Sequence, residues 1–149
     1  MIIEIEQTPK RARDLFSSGF YCAESVFMAL AEKQGIQSDL IPRIATGFCS
    51  GIARTGGQCG AVSGAILGIG LAAGRRNITD PVDETYTLTR DLIQGFTERF
   101  GSVVCPQLLA CDINTPEGQA SYRERHLFDS CLDYVEEATR IALSLLAHR

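Results

Sequence analysis

The stretch that decides the fold is Gly56-Gly57-Gln58-Cys59-Gly60-Ala61-Val62-Ser63-Gly64-Ala65-Ile66-Leu67-Gly68-Ile69-Gly70-Leu71-Ala72-Ala73-Gly74. It fits two structures, a strand pair with a glycine bulge or a buried helix that begins at Cys59. We favour the helix, because the run is longer than a typical strand and is rich in Ala and Leu. Arg75 and Arg76 follow Gly74, as expected at a helix C-terminus, where cations face the negative end of the dipole.

Three glycines share one face of this predicted helix. Gly60, Gly64 and Gly68 recur every four residues, and each costs about 1 kcal/mol relative to alanine in a helix interior. Close packing must offset that cost, because a face without side chains admits another helix backbone or a cofactor. The helix would be roughly 22 Å long, shorter than the roughly 30 Å of a bilayer core. We therefore predict a buried core helix at the centre of the fold.

Cys59 falls at the first turn of this helix. Unpaired N–H groups and the positive dipole end favour an anion there, and the pKa of a thiol in that position can fall from about 8.5 into the range of roughly 3.5–7.5. Cys59 is then a candidate nucleophile. The alternative is that Cys59 is a small buried hydrophobic residue, since free cysteine is among the most buried residue types.

Composition limits the class of protein. A chain of 149 residues is long enough for one domain, residues 1–149, with a proper core. A formal net charge of −4 and a pI of about 5.2 argue against nucleic acid as a partner. The segment Met1–Glu6 has no basic region and no cleavage site of a secretory signal, and no segment is apolar enough to span a membrane. We expect a cytoplasmic protein.

The chain contains six cysteines, which is many for its length. In a cytoplasmic protein this number points to redox chemistry or metal binding rather than to a disulfide framework. There is no C-x-x-C motif, so thioredoxin-like and zinc-ribbon sites are not indicated. Any shared site must therefore be assembled by the fold from distant segments.

The remaining pattern predicts an all-α helical bundle. Thr8-Pro9 fits the start of a first helix, and Ser38 is a candidate cap for a helix over Asp39–Thr46. A helix that begins near Pro81 should end at Phe100, and the last long helix should include the segment from Cys131 to about Ala147. The segment between Gly47 and Thr55 is expected to be a flexible approach to the central helix.

Three cysteines fall at predicted helix starts, namely Cys22, Cys59 and Cys105, and Cys131 precedes or opens the last helix. Such a distribution favours a cluster of acidified thiols at converging helix N-termini, that is, a shared redox or metal site. Independent buried thiols are the alternative. Cys49 is a candidate fifth member. The remaining candidates carry less weight: Cys111 as a structural thiol, His126 on a solvated helix face, and Arg54 as a partner for a thiolate or anion.

At this point the chain resembles the C-GCAxxG-C-C family of redox-active proteins, named for its cysteine pattern. The resemblance rests on Gly19-Phe20-Tyr21-Cys22-Ala23-Glu24-Ser25, Cys59-Gly60-Ala61-Val62-Ser63-Gly64-Ala65, the segment from Arg99 through Cys105 to Leu109, and Cys131. One departure is Gln58-Cys59-Gly60 in place of Gly-Cys-Ala. The resemblance implies a redox or cofactor role for Cys22, Cys59, Cys105 and Cys131, and no named reaction.

Three functions remain open. In the favoured one, clustered cysteines carry out thiol–disulfide exchange or electron transfer with a redox partner protein or a small thiol or oxidant, with Cys59 as attacking thiolate and a neighbouring cysteine resolving it. In the second, Cys22, Cys59, Cys105 and Cys131 ligate zinc or an iron–sulfur cluster. In the third, the protein is a non-catalytic helical interaction module, such as a homodimer, with buried cysteines.

Overall fold

The computed structural model describes the backbone of residues 2–149 and the side chains from residue 6 onward. Within residues 2–149 the chain forms eight helical elements and one 3₁₀ helix, Arg43–Phe48, and the expectation of an all-α fold is confirmed. The helical elements are α1 (Ile2–Ser18), α2 (Cys22–Lys33), α3 (Cys49–Arg54), α4 (Gly60–Ala73), α5 (Asp83–Phe100), α6 (Cys105–Leu109), α7 (Pro116–Glu124) and α8 (Leu127–Ala147).

The stretch quoted first forms α4, which packs closely against α2. A Cβ atom at Gly64 would lie 2.5 Å from the carbonyl oxygen of Ala23, and one at Gly68 would lie 2.4 Å from Cδ1 of Leu30. The glycines therefore leave space that the backbone and side chains of α2 occupy. Helices α1, α5 and α8 complete the main core, whose fully buried large side chains include Phe96, Leu92 and Val135.

Two predicted helix boundaries are wrong. Helix α1 runs from Ile2 through Pro9, because Pro9 is fully buried and Thr8 is nearly so, and that packing offsets the hydrogen bond that proline cannot donate. The predicted helix over Asp39–Thr46 is replaced by turns and the 3₁₀ helix. Ser38 instead closes a local turn, since its Oγ accepts from the N–H of Leu40 at 3.1 Å.

The segment that was expected to be flexible is an ordered left-handed turn. In α3, the residues from Ser50 to Arg54 all have φ between 53° and 66°. Only Gly51 among them is a glycine, and the left-handed conformation costs each other residue about 1–2 kcal/mol. The surrounding contacts must therefore hold this turn in place.

In the part of the chain that the structure describes, no helix combines the length and the apolar character needed to cross a lipid bilayer.

Candidate functional site

The fold brings four of the six cysteines to one cavity of about 360 Å³. Cys22 is the first residue of α2, Cys59 is the N-cap of α4, Cys105 is the first residue of α6, and Cys131 lies in α8. These were the four cysteines predicted to share a site. Cys131, however, lies inside α8, which begins four residues earlier at Leu127, so the expectation that it opens the last helix is wrong.

A short antiparallel contact holds two of these cysteines side by side. The N–H of Cys59 donates to the carbonyl of Val103 at 2.7 Å, and the N–H of Cys105 donates to the carbonyl of Gly57 at 2.9 Å. The pairing centres on an isolated bridge between Gln58 and Val104. Residues 57–59 and 103–105 therefore fix the starts of α4 and α6 relative to each other.

The left-handed turn α3 closes one wall of the cavity. A Cβ atom at Gly51 would lie 2.6 Å from Cβ of Cys105 and 3.2 Å from its Sγ. The carbonyl of Gly51 also accepts the N–H of Gly57 at 2.9 Å. The turn thus packs onto α6, and it places Ser50 and Arg54 along the cavity lining.

The expected acidification of Cys59 is wrong. Cys59 is 7% exposed, and burial raises the pKa of its thiol to about 12, although the N–H groups of Ala61 and Val62 face the sulfur and lower the pKa in part. Burial favours the uncharged form of a thiol. The dipole and N–H groups at the start of α4 are therefore too weak to compensate for the loss of water.

Burial also raises the pKa of two further thiols in the cavity. Burial raises the pKa of Cys105 to about 11, with contributions from the charges of Cys111 and Asp112. Burial also raises the pKa of Cys131 to about 11, while a hydrogen bond from Tyr122 lowers it in part. At neutral pH these side chains are protonated thiols.

Two tyrosines belong to the lining. Burial raises the pKa of the Tyr122 hydroxyl, and the neighbouring Cys131 raises it further. Tyr134 donates from its hydroxyl to the carbonyl of Leu108 at 3.3 Å, and its ring packs edge-on against Phe100 at 4.8 Å between centroids. Both side chains limit the access of water to the thiols.

The charged residues of the lining all have one sign. Arg54 and Arg123 line the cavity, and no aspartate or glutamate of the described chain does so. Both arginines are exposed, and neither forms an ion pair with a residue that the structure describes. A chain of net charge −4 thus has a cavity whose charged groups are positive.

The comparisons with known proteins agree with this arrangement. The model of a family described as "Putative redox-active protein (C_GCAxxG_C_C)" matches residues 20–145. The chain belongs to this family. It is also 30% identical to an uncharacterized protein of Archaeoglobus fulgidus, an alignment that covers 96% of this chain and 95% of that protein. No solved structure matches the chain.

The name C_GCAxxG_C_C contains four cysteines, and four cysteines line the cavity in the same order along the chain. The other two lie elsewhere. Cys111 is half-buried beside Leu109 and Leu127, and it is absent from the lining. Cys49 is buried behind Cys22, which packs against the same small cluster. Cys49 therefore borders the site without lining it.

Tyr122 is the residue that sequence reasoning missed. It lies four residues before His126, which was predicted to lie on a solvated helix face, but Tyr122 is half-buried against the cavity while His126 is exposed at the start of α8. No spacing signal marks Tyr122, because it lies in a short helix separate from the cysteines. Tyr134 could have been found, since it lies three residues after Cys131 on the same helix face.

The arrangement does not fit a four-thiolate metal centre. Among the side chains that the structure describes, residues 6–149, no three cysteine, histidine or carboxylate groups converge at the spacing that a metal ion needs. Zinc and iron–sulfur clusters in proteins require such convergence. The four cysteines line one cavity, but their side chains do not converge on a single point where a metal could bind.

Proposed function

We propose that this chain is a thiol-redox protein that transfers two electrons to a disulfide substrate inside the cysteine-lined cavity. The observation that supports the proposal is the convergence of Cys22, Cys59, Cys105 and Cys131, from four distant segments, on one cavity. In the overall reaction, two protein thiols and one substrate disulfide give one protein disulfide and two substrate thiols. The protein is regenerated by the reverse exchange with a reductant thiol.

The attacking thiol is a half-buried one rather than Cys59. With an exposure of 7%, Cys59 is poorly accessible to a substrate disulfide. Cys22 and Cys131 are half-buried and reach the same cavity. Since a disulfide must approach the attacking sulfur in line, access favours these two.

The lining also supports a class of substrate. The walls of the cavity are mainly apolar, and Arg54 and Arg123 supply unpaired positive charge. An anionic disulfide of small size, or an acidic loop of a redox partner protein that carries a disulfide, would meet both features. The six free thiols suit the reducing environment of the cytoplasm, which we propose as the compartment.

The proposal is tested by counting thiols. Reduced protein is mixed with oxidised glutathione, quenched by alkylation, and measured as an intact mass at intervals. We expect two thiols to disappear and to return when dithiothreitol is added. If all six thiols persist at every time point and at pH values up to 9, the cysteines only pack the core and the redox proposal is wrong.

A further inference from the structure

Cys49 is a thiol that the cavity does not use and that the family's four-cysteine name does not require. It is the first residue of α3, and it is 4% exposed. Its thiol donates to the carbonyl oxygen of Ala45 at 3.7 Å. Cys22 is packed against the small buried cluster that contains Cys49, Ala23, Phe27 and Ala45. Cys22 and Cys49 therefore belong to one cluster, in which Cys22 lines the cavity and Cys49 lies behind it.

We propose that Cys22 and Cys49 form the working redox pair, in which Cys22 attacks the substrate disulfide from the cavity wall and Cys49 resolves the product from behind. This inference rests on the proposed thiol-redox function, and it names the two sulfurs that carry it.

The backbone around Cys49 is arranged to accept negative charge on its sulfur. The pKa of Cys49 is raised by Cys22 and by burial, and the N–H groups of Ala23 and Glu24 in the first turn of α2 offset that rise in part. First-turn N–H groups have no partner inside their own helix, and they lie at the positive end of the helix dipole. The Cys49 thiolate is thus stabilised by a 12-residue helix whose first residue is Cys22.

The neighbouring Cys22 and burial both raise the pKa of Cys49. Interaction with the Cys22 sulfur is the largest cause, followed by burial and by the negative charge of Cys22. When the Cys22 sulfur enters a mixed disulfide, it carries no charge and accepts hydrogen bonds only weakly. Two of the three causes then disappear at the step in which Cys49 must lose its proton.

Gly60 has no side chain, and the Cys22 sulfur occupies the space that a side chain would fill. A Cβ atom at Gly60 would lie 2.2 Å from the Cys22 sulfur and 3.1 Å from the carbonyl oxygen of Phe48. The Cys22 sulfur therefore rests on the bare start of α4, beside the residue that precedes Cys49. Any side chain at position 60 would push the Cys22 sulfur away from this position.

The reaction balances as two exchanges. The Cys22 thiolate attacks one sulfur of a substrate disulfide RSSR, so that a Cys22–SR bond forms, the S–S bond breaks, and RS⁻ leaves and takes up the proton that Cys22 lost. Cys49 then loses its proton to solvent and attacks the Cys22 sulfur, which forms the Cys22–Cys49 disulfide and releases a second RS⁻. The substrate gains two electrons and the two protein thiols lose them.

The test is disulfide mapping on the full-length protein. Reduced protein is treated with oxidised glutathione, alkylated, digested without reductant, and examined by mass spectrometry. We expect the Cys22–Cys49 linkage as the main internal disulfide. In Cys49→Ala we expect the reaction to stop at one glutathione on Cys22, whereas Cys111→Ala, which lacks a cysteine outside the lining, should form the same internal disulfide as the wild type.

The outcomes separate this inference from the function on which it rests. If two thiols disappear but the linkage joins other cysteines, such as Cys59 and Cys131, the pairing is wrong and the redox function stands. If Cys49→Ala closes an internal disulfide at the wild-type rate, Cys49 is not the resolving thiol. If no thiol of the wild type reacts, both proposals fail. Should Cys49→Ala not fold, the wild-type map alone decides the pairing.

Discussion

Replacement of Gly64 by alanine tests the packing that builds the cavity. The new Cβ atom would lie 2.5 Å from the carbonyl oxygen of Ala23 and 3.0 Å from its Cα atom. Both are backbone atoms of α2, so no side-chain rotation relieves the contact, and the two helices must separate. Overpacking of a core typically costs about 1–3 kcal/mol, while the better helix propensity of alanine returns about 1 kcal/mol. Because the obstacle is backbone, we expect the upper end of that cost and a net loss of about 2 kcal/mol.

Gly70→Ala is the matched control in the same helix. A Cβ atom at Gly70 meets no heavy atom within 4 Å, so this substitution adds helix propensity without a clash. We expect a gain of about 0.5–1 kcal/mol. The two variants carry the same chemical change, and the difference between them isolates the contact with α2.

Urea unfolding followed by far-ultraviolet circular dichroism measures both variants, which is suitable because the chain has no tryptophan. For a chain of this length, each 1 kcal/mol shifts the melting temperature by roughly 2–4 °C. The unfolding free energies of the two variants should differ by at least about 2 kcal/mol, with Gly64→Ala the lower. Equal stabilities would show that α2 does not lie against Gly64 and would refute this account of the core.

Three further predictions concern charge, protons and backbone strain. The free energy of unfolding should fall as pH rises from about 9 towards 12, because folded Cys59 keeps its proton above the pH at which an unfolded thiol loses it. A pKa raised from 9.0 to about 12 corresponds to about 4 kcal/mol, and urea titrations of Cys59→Ala should show a flatter alkaline decline. The double variant Arg54→Gln/Arg123→Gln should lose about tenfold in its rate with oxidised glutathione and little with the cationic disulfide cystamine, as measured by thiol loss; equal losses would deny the arginines a role in charge recognition. Ala53→Gly, at a φ of 53°, should leave stability unchanged or raise it by up to about 1 kcal/mol, whereas Ala72→Gly within α4 should lower it by about 1 kcal/mol; equal effects in thermal unfolding would contradict the strained turn.

The sequence predicted a shared site for the four cysteines that line the cavity, because the signals for helix boundaries lie next to these cysteines in the chain. Proline after Cys105, the glycine-rich start after Cys59 and the turn before Cys22 each mark a helix boundary. Cys131 was placed near the start of the last helix, and the resemblance to the family includes it. These signals lie within a few residues of each cysteine. These local signals can therefore be recognised in the sequence without knowledge of the tertiary structure.

The acidity of Cys59 and the role of Tyr122 were not predictable in the same way. The pKa of Cys59 depends on how much water the fold removes, and burial outweighs the helix start that the sequence displays. Tyr122 contacts Cys131 from a separate short helix, which only the tertiary structure brings near. The left-handed turn was hidden because Ser50 and Ala53 carry side chains that usually avoid positive φ.

An equilibrium redox titration tests the central claim most directly. The protein is equilibrated anaerobically in buffers with different ratios of reduced to oxidised glutathione, alkylated, and measured as an intact mass. The account predicts one reversible transition between a form with six alkylated cysteines and a form with four, with the slope of a two-electron couple. A protein that keeps six alkylated cysteines at every ratio would contradict the claim that the cysteine-lined cavity is a dithiol–disulfide centre.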